Sequence, residues 1–224
     1  MTRLKSVGVK PARVSDILLT HVHTDHSGGL VREGRAQFPN ATVHVGKGDA
    51  DFFLARQNQQ GVNGYDKAYF EQATLSLSPN LAASRIKPFS GVTELAPGVT
   101  AVPTPGHTPG HSFFRVESQG KSVTFIGDIV HVQAVQFPKP EITIAYDVDN
   151  DAARRQRLVQ FAAWHKKAWW WLLRTCPSPA SAASAPRVRA SRSCRWIRWT
   201  ATAFEASFSV PRPSARPQSS SLPT

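Results

Sequence analysis

Residues 21–26 read His21-Val22-His23-Thr24-Asp25-His26, and the reading of this hexapeptide decides that of the whole 224-residue chain. It follows Ile17–Thr20, a short apolar run of the kind that forms a buried strand. In extended backbone alternate residues project to one side, so residues 21, 23 and 25 share a face, and a turn at Ser27–Gly29 brings His26 beside them. Four imidazole and carboxylate donors then converge. Such donors are what Zn²⁺ and similar borderline metals accept, at roughly 2.0–2.2 Å. Crowded together without an ion, they would be costly to bury.

Outward from this stretch the pattern is that of a mixed α/β or α+β protein. Arg3–Val14 reads as a short helix broken at Pro11, Gly29–Gln37 as a helix, Ala41–Val45 as a strand, and Asp49–Gln59 as a helix with an acidic first turn. Phe70–Ala83 reads as a further helix. Gly98–Val102, Ser112–Val116 and Ser122–Ile126 read as strands, separated by the turns PTPGHTPGH and VESQGK. Asp149 or Asn150 then caps a last amphipathic helix that turns Leu158, Phe161 and Trp164 to the core. Two further histidines, His107 and His111, lie in the glycine-containing turn 103–111, and Asp128 and His131 follow the strand that ends at Ile126. His44, inside a strand, reads as structural, and His165 beside Lys166 and Lys167 carries no assignment.

The net charge of +12 resembles a nucleic-acid signature until it is divided along the chain. Residues 172–224 contribute +7 from eight Arg and the single acid Glu205, whereas residues 1–171 contribute +5 from 19 basic and 14 acidic residues. The tail has no Gly or Lys, and Ser, Ala, Pro and Arg make up 35 of its 53 residues, so it shows no helical or strand period. This divides the chain into a domain at 1–171 and an Arg/Ser/Ala/Pro-rich tail at 172–224 that cannot fold alone. Binding of nucleic acid through the tail arginines, Trp196 and Trp199 is the weaker alternative to a small-molecule partner. Cys176 and Cys194 make no disulfide framework and have no ligand-spaced neighbours. No run approaches the roughly 20 apolar residues of a membrane span, and no secretory leader is legible at the N-terminus, so a soluble product of open compartment is expected.

The string HVHTDH at 21–26, TPGHTPGH at 104–111 and FIGDIVH at 125–131 together resemble the metallo-β-lactamase-fold hydrolases, in both order and spacing. By texture the nearest branches are the lactonases, the glyoxalase II-like enzymes and the methyl parathion hydrolase-like enzymes. The resemblance covers roughly residues 3–171 and implies an αββα sandwich. It implies that His21, His23 and His107 hold one Zn²⁺, that Asp25 and His26 hold a second, and that Asp128 bridges them. A hydroxide between two such ions, about 3.5–4 Å apart, would attack an ester, lactone, thioester or phosphoester. Asp25 would also orient the nucleophile, while His111 and His131 would support or line the site without ligating. Other divalent metals fit the same donors.

Two parts of the family pattern are short. The first sheet would lack strands, because only 20 residues precede His21, which leaves Ile17–Thr20 an open apolar edge; an upstream start codon is the simplest alternative, and it would also hide an export signal. The late histidine of the second metal is absent, since no histidine follows His165. Codons compatible with RTCPSPAS at 174–181 also encode AHLPFPGIG in a shifted frame, which resembles the family's late ligand loop, so a frameshift near residue 172 is expected. A hydrolase impaired by the loss of one ligand is the corresponding alternative function.

Overall fold

The structure is a computed structural model, and it describes residues 4, 6–62, 64–165, 170–172 and 196–198. Its strands are β1 (Asp16–Leu18), β2 (Val31–Arg32), β3 (Arg35–Ala36), β4 (Thr42–Gly46), β5 (Ile86–Phe89), β6 (Thr93–Ala96), β7 (Val99–Pro103), β8 (Ser112–Ser118), β9 (Lys121–Phe125), β10 (Trp170–Leu172) and β11 (Trp196–Arg198). The α-helices are α1 (Thr24–Ser27), α2 (Lys47–Phe53), α3 (Lys67–Ala82), α4 (Gln133–Gln136) and α5 (Asn150–His165). One parallel sheet has the order β1-β4-β5, and a second sheet has the order β11-β10-β9-β8-β7-β6. The mixed α/β expectation holds.

Three apolar clusters show how the layers stack. Leu19, Val22, Val43 and Val45 of the first sheet and its loops meet Phe53, Phe70, Ala73 and Leu77 of α2 and α3. Phe89, Ala101 and Phe114, with Leu18 against them, fill the space between the two sheets. Phe113, Ile126 and Val130 meet Phe161 and Trp164 of α5 on the far side. Successive residues of β8 thus serve different layers: Phe113 faces the helix and Phe114 faces the other sheet, as the two-residue period of a strand requires. The result is helix, sheet, sheet, helix.

β1 is the outer strand of its sheet, and a cleft of about 550 Å³ opens beside it, lined by Ile17, Leu19, Leu30, Phe38 and His26. Among the described residues β1 is paired on one side only, with β4. Of 172–224 only Leu172 and β11 are described, so the tail and the proposed frameshift otherwise lie outside the described residues.

Several expectations need correction. Gly29–Gln37 is not a helix but a 3₁₀ turn at Gly28–Leu30 followed by the β2–β3 hairpin, because Glu33 and Gly34 both take positive φ (52° and 71°), which makes the tight turn that joins twisted strands. The helix after β4 stops at Phe53 and is followed by a 3₁₀ turn at Arg56–Asn58. At the N-terminus Leu4 and Ser6 are helical, but beside Pro11 the helix is replaced by a separate 3₁₀ turn, Pro11–Arg13. In α5 the buried stripe is Ala153, Arg157, Phe161 and Trp164, while Leu158 is 41% exposed. Arg157 enters the core because its guanidinium donates to the carbonyls of Ile129, Pro140 and Ile142, so a charged group holds the place expected of Leu158.

Candidate metal centre

The parallel strands of the first sheet point their carboxyl ends at one rim of the sandwich, where open α/β sheets commonly bind ligands. His21 and His23 follow β1 in extended backbone, but the alternation stops there. His23 is the N-cap of α1, and this helical turn, not the turn at 27–29, carries His26 back towards His21. The same turn leaves the Asp25 side chain at the rim, 60% exposed. The loop Thr104–His111 is closed by Thr104 N–H donating to His111 O and is tied to the first segment by Ser112 N–H donating to Thr20 O. Asp128 follows β9 at the same rim.

The buried donors face one another. His23 Nδ1 lies 3.0 Å from His107 Nε2, His26 Nε2 lies 3.1 Å from Asp128 Oδ1 and 3.3 Å from Asp25 Oδ2, and His107 Nε2 lies 3.9 Å from Asp128 Oδ2. Two atoms bound to one ion at roughly 2.0–2.2 Å sit about 3–3.5 Å apart in tetrahedral or right-angled geometry. The groups His21–His23–His107 and His21–His26–Asp128 each place their ligand atoms within 4.8 Å of one another. His21 Nε2 is buried and has no hydrogen-bond partner, while Nδ1 of the same ring contacts Thr20 Oγ1 at 3.1 Å. An orphaned, fully buried imidazole nitrogen facing three other donors fits a cation.

Electrostatics separate three of the four imidazoles from the fourth. Burial drives His21 well below the usual imidazole range and brings His23 down to about 3, with the neighbouring His107 adding to both shifts. Burial lowers His107 as well, against the opposing hydrogen bond to Asp147. These rings are neutral, the state that ligates. His26 differs: burial pulls it down, but its contacts to Asp128 and Asp25 prevail and raise it to about 9. Asp128 is held far below the carboxylate range, since the hydrogen bonds from His131 and His26 outweigh its burial.

His111 is close to the centre without facing it. Its Nε2 accepts from the Asp128 backbone N–H at 3.1 Å, so its proton sits on Nδ1, which donates to Thr104 at 2.8 Å (Oγ1) and 3.2 Å (carbonyl). Nε2 thus holds the Asp128 backbone and Nδ1 anchors the ring on Thr104, so neither nitrogen is left for the centre. His131 does face the centre, with Nε2 3.1 Å from Asp128 Oδ2. His44 is bonded to Asp16 at 2.8 Å, away from the cluster.

Three supporting residues escaped the sequence. Asp147 accepts from His107 Nδ1 at 2.9 Å, which turns Nε2 to the cluster. Tyr65 shares a hydrogen bond between its hydroxyl and His23 Nε2, leaving Nδ1 for the centre. Asp49 is fully buried and accepts from Val22 N–H (2.9 Å), Gly110 N–H (2.6 Å) and the Thr108 hydroxyl (2.9 Å), joining the two ligand loops through one carboxylate. Burial raises its pKa from 3.8 to about 6, although all three hydrogen bonds pull the other way. Glycines let the loops approach: a Cβ on Gly46 would stand 2.1 Å from the Gly110 carbonyl oxygen. The one visible signal was the run Gly46, Gly48, Asp49 at a strand-to-helix junction.

With the fold and this geometry in place, the comparisons with known proteins define the class. The model of the metallo-beta-lactamase superfamily matches residues 1–161, and the chain belongs to that superfamily. An N-acyl homoserine lactonase of Bacillus cereus is 30% identical over 126 residues, which are 56% of this chain and 42% of the relative. A crystal structure described as a hydrolase, AbOPH, in the beta lactamase superfamily superposes with a TM-score of 0.69 at 38% identity, over 76% of this chain and 60% of the other. An N-acyl homoserine lactone hydrolase, with product bound at what its description calls the catalytic metal centre, superposes with a TM-score of 0.54 at 26% identity, over 73% of this chain and 56% of the other. The chain thus spans less than half the length of that lactonase from B. cereus. No helix among the described residues is long and apolar enough to cross a membrane.

Proposed function

We propose that this chain is a zinc-dependent hydrolase of ester-type bonds, with a lactone as the first substrate class to test and thioesters and phosphoesters behind it. The observation that carries the reading is the orphaned His21 Nε2 among the converging atoms of His23, His26, His107 and Asp128. His21, His23 and His107 would hold one ion and Asp25 and His26 a second, with Asp128 between them. When bound, zinc supplies Lewis acidity to the substrate oxygen and brings the ionisation of water near neutral pH. Asp147 and Tyr65 keep the ligating nitrogens of His107 and His23 turned inward, and His111 fixes the backbone of Asp128. Asp25, at the exposed rim, would accept a proton from the attacking water. The lactone assignment rests on the lactonase relatives.

The test is turnover of an N-acyl homoserine lactone, a thioester and a phosphotriester by the full chain, with and without added Zn²⁺, beside a His23→Ala variant. Zinc-dependent opening of the lactone that His23→Ala abolishes supports the proposal. Equal rates for the two proteins reject it.

A further inference from the structure

We propose that His131 is itself a metal ligand, supplying with His107 and the Oδ2 atom of Asp128 an imidazole that the superfamily resemblance does not assign to it. The inference rests on the metal-centre reading above. His131 Nε2 stands 3.1 Å from Asp128 Oδ2, the separation of two donors that share an ion, and the ligand atoms of His107, Asp128 and His131 lie within 4.8 Å of one another. The rings of His107 and His131 are 4.7 Å apart between centroids. Asp128 thus offers its two oxygens to opposite sides, Oδ1 to His26 and Oδ2 to His131.

The backbone under His131 is built to hold that position. Gln136, 1% exposed, accepts through Oε1 from the N–H of His131 at 2.7 Å and of Val132 at 3.2 Å, while its Nε2 donates to the Ile142 carbonyl at 3.0 Å. A buried amide whose described bonds clamp one loop turn fixes where the imidazole points. The side chain is 18% exposed, so it borders the solvent-facing mouth of the centre. The other histidines described nearby are committed: both nitrogens of His111 are engaged away from the centre, and His44 is bonded to Asp16. Among the described residues His131 is therefore the imidazole that can raise the donor count.

The experiment is zinc titration of the full chain against a chromophoric chelator, with the absorption spectrum of the cobalt-loaded protein recorded alongside. The unaltered chain is compared with His131→Gln, which keeps the size and removes the imidazole, and with His131→Asp, which restores a donor. Loss of an outer partner weakens a metal site by roughly 10–100-fold. For a ligand, His131→Gln weakens binding of one ion by more than about 100-fold and changes the cobalt spectrum, while His131→Asp regains most of the affinity. Unchanged affinity and spectrum in His131→Gln overturn this inference and leave the metal-centre reading standing. A folded, unaltered chain that takes up no zinc overturns both.

Discussion

His107 Nδ1 donates to Asp147 Oδ1 across 2.9 Å, with the two side chains 3% and 0% exposed, and Asp147 Oδ2 stands 3.8 Å from the buried guanidinium of Arg157. A ring held in this way cannot turn its other nitrogen from the centre without breaking a buried, charge-assisted bond. Asp147→Asn keeps the shape and removes the charge. Its zinc dissociation constant is expected to rise by about 10–100-fold in a chelator competition, the range for outer partners of metal-bound histidines.

Arg157 is the other half of that relationship. Replacing it with Met leaves Asp147 without its cation and the Ile129 and Pro140 carbonyls without the guanidinium donor, while Ile142 keeps only the Gln136 amide. Breaking a buried pair from one side costs about 3–5 kcal/mol, so Arg157→Met should lower the urea midpoint strongly or prevent folding. A midpoint equal to that of the unaltered chain would show that the guanidinium does not hold this region together.

Asp49 gives a pH dependence with a defined sign. Its folded pKa, about 6, exceeds its usual 3.8, so between these values the folded state binds the extra proton and stability falls as pH rises. Asp49→Asn is neutral throughout and lacks this slope. Urea midpoints of the two proteins, compared from pH 4 to pH 7, should draw closer as pH rises to about 6 and then run parallel. Constant separation over the whole range would remove the claim that burial dominates at Asp49.

Gly106 takes φ of +149°, and a Cβ there would lie 2.3 Å from the backbone nitrogen of Ala153 at the start of α5. Its carbonyl also accepts from Asp149 N–H, which docks the ligand loop on that helix. Gly106→Ala must push the two apart, at a cost of about 1–3 kcal/mol as overpacking. Zinc affinity and the urea midpoint should fall together, and a change in neither would show that the loop does not rest on the helix.

The donors were legible in the sequence because each set is local. His21, His23 and His26 fall within one hexapeptide, His107 within one turn and Asp128 at one strand end, and the strand period already brought the first two together. The residues that orient them were not. Asp147 reaches His107 across 40 residues, Tyr65 reaches His23 across 42, and Asp49 reaches Gly110 across 61, and apart from the glycines before Asp49 no local pattern marks a lone acid or phenol for such a role. β5 has no strand signature in the sequence, since it contains Pro88, which is tolerated here on an outer strand of its sheet. Leu158 was misplaced because helical spacing identifies a stripe but cannot tell a leucine from an arginine whose donors meet three carbonyls.

The most direct test of the metal centre is an anomalous difference map, recorded at the zinc absorption edge from crystals of the full chain grown with Zn²⁺. The expected result is a peak within about 2.0–2.2 Å of His21 Nε2, His23 Nδ1 and His107 Nε2. Well-ordered density for those three rings with no peak between them, or zinc found only at the surface, would contradict it.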